Sequence, residues 1–169
     1  MAQYKVYNGP MVTTAAPAKI ATGTSIKTLL QIKASATTGF KVLEWGISFD
    51  GSAAATPGVV ELIETDVAAT VTASVANDIQ KYDAKALMGG DPTTNLIPVG
   101  TTSTGYTASG EGSITAVRDF DTQLLPPTGP YIKQFSLGSE PFVQISKFAR
   151  IRVTFGTTVN ALCYMIIEI

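Results

Sequence analysis

The sequence predicts an all-β protein, an antiparallel β-sandwich of jelly-roll type with an extended N-terminal arm and long middle loops. Three observations carry that expectation. Segments of alternating apolar and polar residues recur along the chain without helical segments alternating with them. Gly and Pro turns punctuate the segments, and Thr, Ala and Val are abundant. The last 28 residues, Phe142 to Ile169, read as a β-hairpin running into the C-terminus without a polar tail. A chain of 169 residues suits one domain, and no charge block or long linker divides it. The expected organisation is an arm over residues 1–24, with a possible short strand at Gln3 to Tyr7, and a single sandwich over residues 25–169.

The arm continues through the turn Asn8-Gly9-Pro10 into a Thr/Ala/Pro-rich stretch, Val12 to Lys19, of the kind that orders by lying on something. Ser25 to Ala34 is a strand with Ile26, Thr28, Leu30, Ile32 and Ala34 on one side. Phe40 to Asp50 is the strongest strand of the N-terminal half, with Leu43, Trp45, Ile47 and Phe49 on one face and Glu44, Gly46 and Ser48 on the other. Gly58 to Thr65 follows the loop Asp50 to Pro57, and residues 67–77 add Val71, Ala73 and Val75 in alternation. Asp78 to Met88 reads as a brief helix, and residues 89–110 as long loops, which in a compact domain are functional or packed on a partner. Strands are expected at Ile114 to Phe120, Tyr131 to Leu137 and Phe142 to Val153, with a break from Leu124 to Pro130.

The final strand is apolar on both sides. One face carries Val159, Ala161, Cys163, Met165, Ile167 and Ile169; the other carries Leu162, Tyr164 and Ile166 between Asn160 and Glu168. Burial of each large aliphatic is worth about 1.5–3 kcal/mol, so this strand must be central, covered, or pressed on another chain.

Composition narrows the function. Charged residues are 15% of the chain against about 25% in ordinary soluble domains, so the surface relies on Thr, Ser, Ala and Gly, a coat suited to packing in an assembly. A net charge of -1 supplies no basic field for phosphate backbones, and nucleic acid is not an expected partner. No apolar run reaches membrane-spanning length, and the N-terminus lacks the shape of a signal peptide, so synthesis in a host cytoplasm is expected. Histidine is absent, which removes the commonest general base and the usual zinc ligand. Single Cys163 reads as a buried thiol.

Acidic residues are the remaining catalytic material. Glu61, Glu64 and Asp66 lie near one strand end, and Asp119-Phe120-Asp121 has alternating carboxylates, but neither set carries the partners of a hydrolase cleft or the glycine and closing glutamate of a calcium loop. Gly89-Gly90 and Gly110-Glu111-Gly112 read as turns. No enzyme activity, cofactor or metal is expected. Trp45 is assigned to the core with its face neighbours, and Gly46 marks a bulge or a close approach by another backbone, as an intersubunit contact would require. Arg150 and Arg152 alternate on the outer face of their strand, either solvated or salt-bridged to a partner. The candidate contact residues are Tyr4, Val6, Tyr7, Met11, Val12, Arg150, Arg152, Leu162, Tyr164 and Ile166.

Two blocks carry a resemblance. Leu43-Glu44-Trp45-Gly46-Ile47-Ser48-Phe49-Asp50-Gly51 follows Lys27-Thr28-Leu29-Leu30-Gln31-Ile32, and Ala149-Arg150-Ile151-Arg152-Val153-Thr154 precedes Val159-Asn160-Ala161. Together they resemble small structural proteins of tailed bacteriophages that look like capsid decoration, or cement, proteins. The likeness covers strands near residues 27–64 and 147–169. It implies a β-sandwich or jelly roll on the outer capsid surface of a virion, bound to the major capsid protein, often as a homotrimer, with no catalysis. The arm, Gln3 to Lys19, and the loops between Gly89 and Gly110 would then touch the shell or adjacent subunits, and deletion of residues 1–19 would spare the fold. Two rivals share the composition: a tail or head-completion protein, and a carbohydrate-binding jelly roll using Tyr106 or Tyr131.

Overall fold

The computed structural model describes residues 1–83 and 96–169. It is an antiparallel β-sandwich of thirteen strands, with one three-residue 3-10 turn at Ala76–Asp78 among the described residues. In chain order the strands are β1 (Gln3–Tyr7), β2 (Ile20–Ala21), β3 (Lys27–Lys33), β4 (Phe40–Phe49), β5 (Gly58–Thr65), β6 (Thr70–Ala73) and β7 (Ile79–Lys81). They continue as β8 (Gly105–Gly110), β9 (Val117–Leu125), β10 (Pro130–Gln134), β11 (Phe142–Val143), β12 (Phe148–Thr154) and β13 (Asn160–Glu168). Sheet A runs β10-β4-β13-β1-β7, with β11 also on β4 and β2 also on β13; sheet B runs β6-β8-β3-β12-β5-β9. The strand orders do not by themselves make the sandwich a jelly roll.

No two strands consecutive in sequence pair with each other among the described residues. The C-terminal hairpin expected from the sequence is therefore an arch: β12 lies in sheet B between β3 and β5, and β13 lies in sheet A between β4 and β1. Period-two alternation specifies a strand's faces, while its partners depend on long-range register. In this case both arms bury one face in the same core from opposite sheets, with Ala149, Ile151 and Val153 meeting Ala161, Cys163, Met165 and Ile167.

The N-terminal segment is also placed differently from the expected arm. β1 is an interior strand, paired to β13 from Gln3↔Glu168 to Tyr7↔Tyr164 and to β7 on its other side. Tyr4 and Val6 point into the core and are fully buried, so they are not intersubunit contacts. Ala2 and Ile169 exchange backbone hydrogen bonds of 2.8 and 2.9 Å, tying the first residues to the last. What remains of the arm is the loop after Asn8. Its start is held where the Asp78 carboxylate accepts the Met11 amide at 2.9 Å, and its end where Lys19 pairs with Asp50; Val12 to Ala16 are exposed between them.

A register irregularity corrects one face assignment. Ile166 pairs with Glu44 but Ile167 pairs with Val42, so Leu43 is the extra residue of a β-bulge. The inward set of β4 is consequently Phe40, Val42, Trp45 and Ile47, with Leu43 half-buried outside it. The expected helix at Asp78 to Met88 begins instead with the short strand β7, because Ile79 packs into the core opposite Val6. Residues 84–88 of that segment, and 89–95 of the expected loop with Gly89-Gly90, lie outside the described residues. Later in the loop, β8 is a strand the sequence did not announce: Gly105 lies so close to the Thr72 carbonyl that a Cβ would collide with it.

Sheet B is covered on its outer side by the chain's own segments around residues 66–69 and 111–116. Gln31, fully buried, accepts the Ala69 amide at 2.8 Å and donates to the Ser103 carbonyl at 2.5 Å. Arg150, 0% exposed, donates to the Val67 and Glu111 carbonyls and faces the Glu111 carboxylate at 3.3 Å. Glu111 also accepts the Thr28 amide and hydroxyl, each at 2.6 Å. Burial lowers the Arg150 guanidinium to about 10, against the opposing pull of Glu111, so it stays charged at neutral pH. Asp66 ties the two covering segments together by accepting the Thr115 hydroxyl and the Ala116 and Thr115 amides, which hold its carboxyl at about 2.

Deleting residues 1–7 removes a strand hydrogen-bonded on both sides and is expected to abolish the cooperative thermal transition followed by circular dichroism. Replacing residues 12–19 with a Gly/Ser stretch of equal length is expected to keep it. Glu111→Ala leaves a buried cation without its counter-charge, and is expected to cost about 3 kcal/mol or more in urea unfolding. The double variant Glu111→Leu/Arg150→Met recovers much of that loss, since the apolar pair carries no charge to desolvate.

Candidate interaction surface

The outer faces of the two sheets differ in kind. Sheet B wears the covering segments; the outer face of sheet A has no such cover among the described residues. Because Tyr4 and Val6 of β1, Trp45 and Ile47 of β4, and Ala161, Cys163, Met165 and Ile167 of β13 point inward, alternation turns Lys5, Tyr7, Glu44, Gly46, Ser48, Leu162, Tyr164 and Ile166 outward. Pairing with β10 adds Ile132 beside Gly46, and pairing with β7 adds Gln80 beside Lys5.

Tyr164 is the hub of this face. Its hydroxyl donates to Glu44 Oε1 at 2.5 Å, its ring lies 6.0 Å from that of Tyr7, and the Lys5 ammonium sits 4.0 Å above it and 5.2 Å from Tyr7. Burial, and then the adjoining Glu44 carboxylate, push the phenol well above the ordinary tyrosine range. Gly46 provides the floor: a Cβ there would stand 2.7 Å from the Tyr164 ring. The close approach that Gly46 announced in the sequence is thus made by a ring of the same chain, not by a neighbouring backbone. Ile166 is nearly covered by its neighbours, Leu162, Tyr7 and Tyr164 are half-buried, and Ile132 is 60% exposed.

Of the residues expected to make contacts, Tyr7, Leu162, Tyr164 and Ile166 therefore come together on one face. Met11 and Val12 lie apart from it, on the loop anchored by Asp78, with Val12 exposed. Arg150 and Arg152 do not form a free outward pair. Arg150 is the buried arginine beneath the covering segments, and Arg152 binds Glu61 through both Nε at 2.8 Å and Nη2 at 3.2 Å. Their charges are matched within the chain, which leaves neither for a partner's carboxylate.

Lys5, Glu44 and Ile132 are among the residues of the face that escaped the sequence reading. Lys5 and Glu44 carry no motif and become neighbours of Tyr164 only through the β1–β13–β4 pairing. Ile132 belonged to a recognised strand, and its exposure follows from β10 being an edge. Elsewhere, Leu137 is 98% exposed at the tip of the Ser136–Ser139 turn, where Gly138 takes a φ of +87°.

The acidic candidates are spread over separate structural bonds. Glu64 accepts from Arg118 at 2.9 Å and from the Gln144 amide at 2.8 Å. Asp121 accepts from Trp45 Nε1 at 3.2 Å and from the Tyr131 hydroxyl at 2.8 Å; burial, then this carboxylate, raise Tyr131 to about 12. Among the described residues no group of three or more acidic or cysteine side chains gathers as metal ligands would. What the sheet A face presents is tyrosine rings, of the kind enriched at protein interfaces, with amides and one charge of each sign.

Gly46→Ala is expected to displace the Tyr164 ring and cost about 1–3 kcal/mol. In a Tyr164→Ala background the same change is expected to be neutral or stabilising, because the obstruction is gone and alanine orders the strand better. Chemical denaturation of the four proteins in this cycle reads the difference.

Compared with protein-family models, with curated proteins and with solved structures, the chain matches none.

Proposed function

We propose that this is a non-enzymatic structural protein of a bacteriophage virion, a decoration or cement protein that binds the major capsid protein on the outside of the shell and stabilises it. The reading begins from the resemblance of the strand blocks at residues 27–51 and 149–161. The observation that carries it furthest is the uncovered, nearly charge-balanced tyrosine face of sheet A, set on a sandwich whose other face is already occupied by its own chain. Such a surface suits a protein partner: it offers large rigid side chains that lose little freedom on docking.

The exposed loop Val12 to Lys19 fits a second contact with the shell. It is fastened at both ends, by Asp78 at Met11 and by Asp50 at Lys19, so its exposed middle is presented without depending on the loop for the fold. The glycan reading draws less support: the Tyr131 ring packs 5.4 Å from Trp45 with its hydroxyl bound to Asp121, and Tyr106 is half-buried.

Purified protein added to shells that lack it is expected to decorate the capsid surface regularly in electron micrographs. Replacing residues 12–19 with Gly/Ser is expected to lower that occupancy several-fold while leaving the thermal transition in place. Density on the tail or neck instead of the shell would assign it to tail or head completion; no density on any particle would sink the virion reading.

A further inference from the structure

Along one row across sheet A, the outward side chains run Gln134, Glu44, Ile166, Lys5 and Gln80, from β10 to β7. The row is symmetric about β13 in position and antisymmetric in charge. Glu44 and Lys5 each stand one strand from β13, about 4.8 Å to either side, and a glutamine follows each. The rows beside it place Ile132, Gly46, Tyr164 and Tyr7 in line, and Ser48 beside Leu162. Neither Lys5 nor Glu44 forms an ion pair within the chain among the described residues.

We propose that the outer face of sheet A binds a second copy of this chain about a two-fold axis lying along β13. A two-fold rotation about that line turns one sheet over onto the other and exchanges the two sides of the row. Lys5 of each copy then faces Glu44 of the other, twice, and Gln80 faces Gln134. Leu162 and Tyr164 meet their own counterparts near the axis. An isologous contact needs a self-complementary patch, which this row provides without any further charge to balance.

The area is consistent with association. The strands β10, β4, β13, β1 and β7 tile roughly 500 Å² of flat sheet per copy, so two copies bury roughly 1,000 Å², the lower bound for a specific interface. A dimer of this size is concentration-dependent. The contact takes the face that the virion reading offers to the shell and leaves the loop Val12 to Lys19 as the shell contact: a dimer that binds no capsid leaves it standing, and a protein that decorates capsids as a monomer overturns it while leaving the virion reading intact.

Sedimentation velocity of the full chain, over a micromolar concentration series without capsid, tests the contact. The wild type is expected to move from monomer to dimer. Lys5→Glu and Glu44→Lys each set like charges opposite one another at both ends of the row, and each is expected to weaken the dimer about 100-fold or more. An equimolar mixture of the two variants is expected to dimerise as the wild type does, since the acidic row of one then faces the basic row of the other. Leu162→Arg, near the axis, gives an independent disruption if Lys5→Glu fails to show a native thermal transition. A wild type that stays monomeric, single variants that dimerise like the wild type, or a mixture that stays monomeric would each overturn the proposal. A monomeric wild type whose capsid occupancy falls with Lys5→Glu would overturn it too, and give the face to the shell.

Discussion

The pairing of β13 with β4 on one side and β1 on the other is the interaction on which the rest of this structure depends. It closes sheet A with the last strand of the chain, joins the two termini through Ala2 and Ile169, and sets Cys163 and Met165 into the core against sheet B. A strand interior to a sheet satisfies its backbone groups on both edges, so its removal exposes donors and acceptors as well as apolar area. Since no consecutive strands pair, nearly every ladder must be assembled across long stretches of sequence. That topology favours slow, cooperative folding over local assembly.

The same pairing decides what the surface can do. Alternation along β13 sends one apolar face inward and leaves Leu162, Tyr164 and Ile166 to the outside, where Lys5 and Glu44 from the flanking strands partly shield them. On sheet B the analogous outer positions hold Arg150, Gln31 and Ile63, and the chain buries them with its own segments. A charged group buried in this way is expensive unless paired, and the Glu111 carboxylate with the Val67 and Glu111 carbonyls meets that need. One sheet thus uses its outer face for internal structure, and the other leaves its outer face without such cover among the described residues.

Much of the fold was legible because strand periodicity is a local property. Gly58 to Thr65 was read residue for residue as β5, and Trp45 and Ile47 were rightly placed in the core. Leu43 was misread because a single bulge residue reverses the face of everything before it, and nothing in the sequence places a bulge at Leu43. The edge strand β9 was expected at Ile114 to Phe120 and lies at Val117–Leu125; its first residues instead carry the amides that bind Asp66. Strand β8 escaped notice because a glycine- and threonine-rich segment becomes a strand only where β3 and β6 supply the pairing. Of the candidate surface, the tyrosine and the aliphatics of β13 were foreseen; Lys5, Glu44 and Ile132 were not, because their nearness to Tyr164 exists only in register.

By itself the sequence determined the class of structure: alternation, turn residues and abundant β-branched side chains require strands with dry faces, and the two-sided apolar C-terminus requires a place that is central, covered or pressed on another chain. Only the tertiary structure decided the partners. It made the C-terminal hairpin an arch, drew the N-terminal arm into the interior beside β13, and put Arg150 under cover with Glu111 rather than in solvent. The physical reason is common to all three. A strand's faces follow from its own residues, but its edges are completed by whichever distant segment arrives in register, and burial is settled by what that segment brings with it.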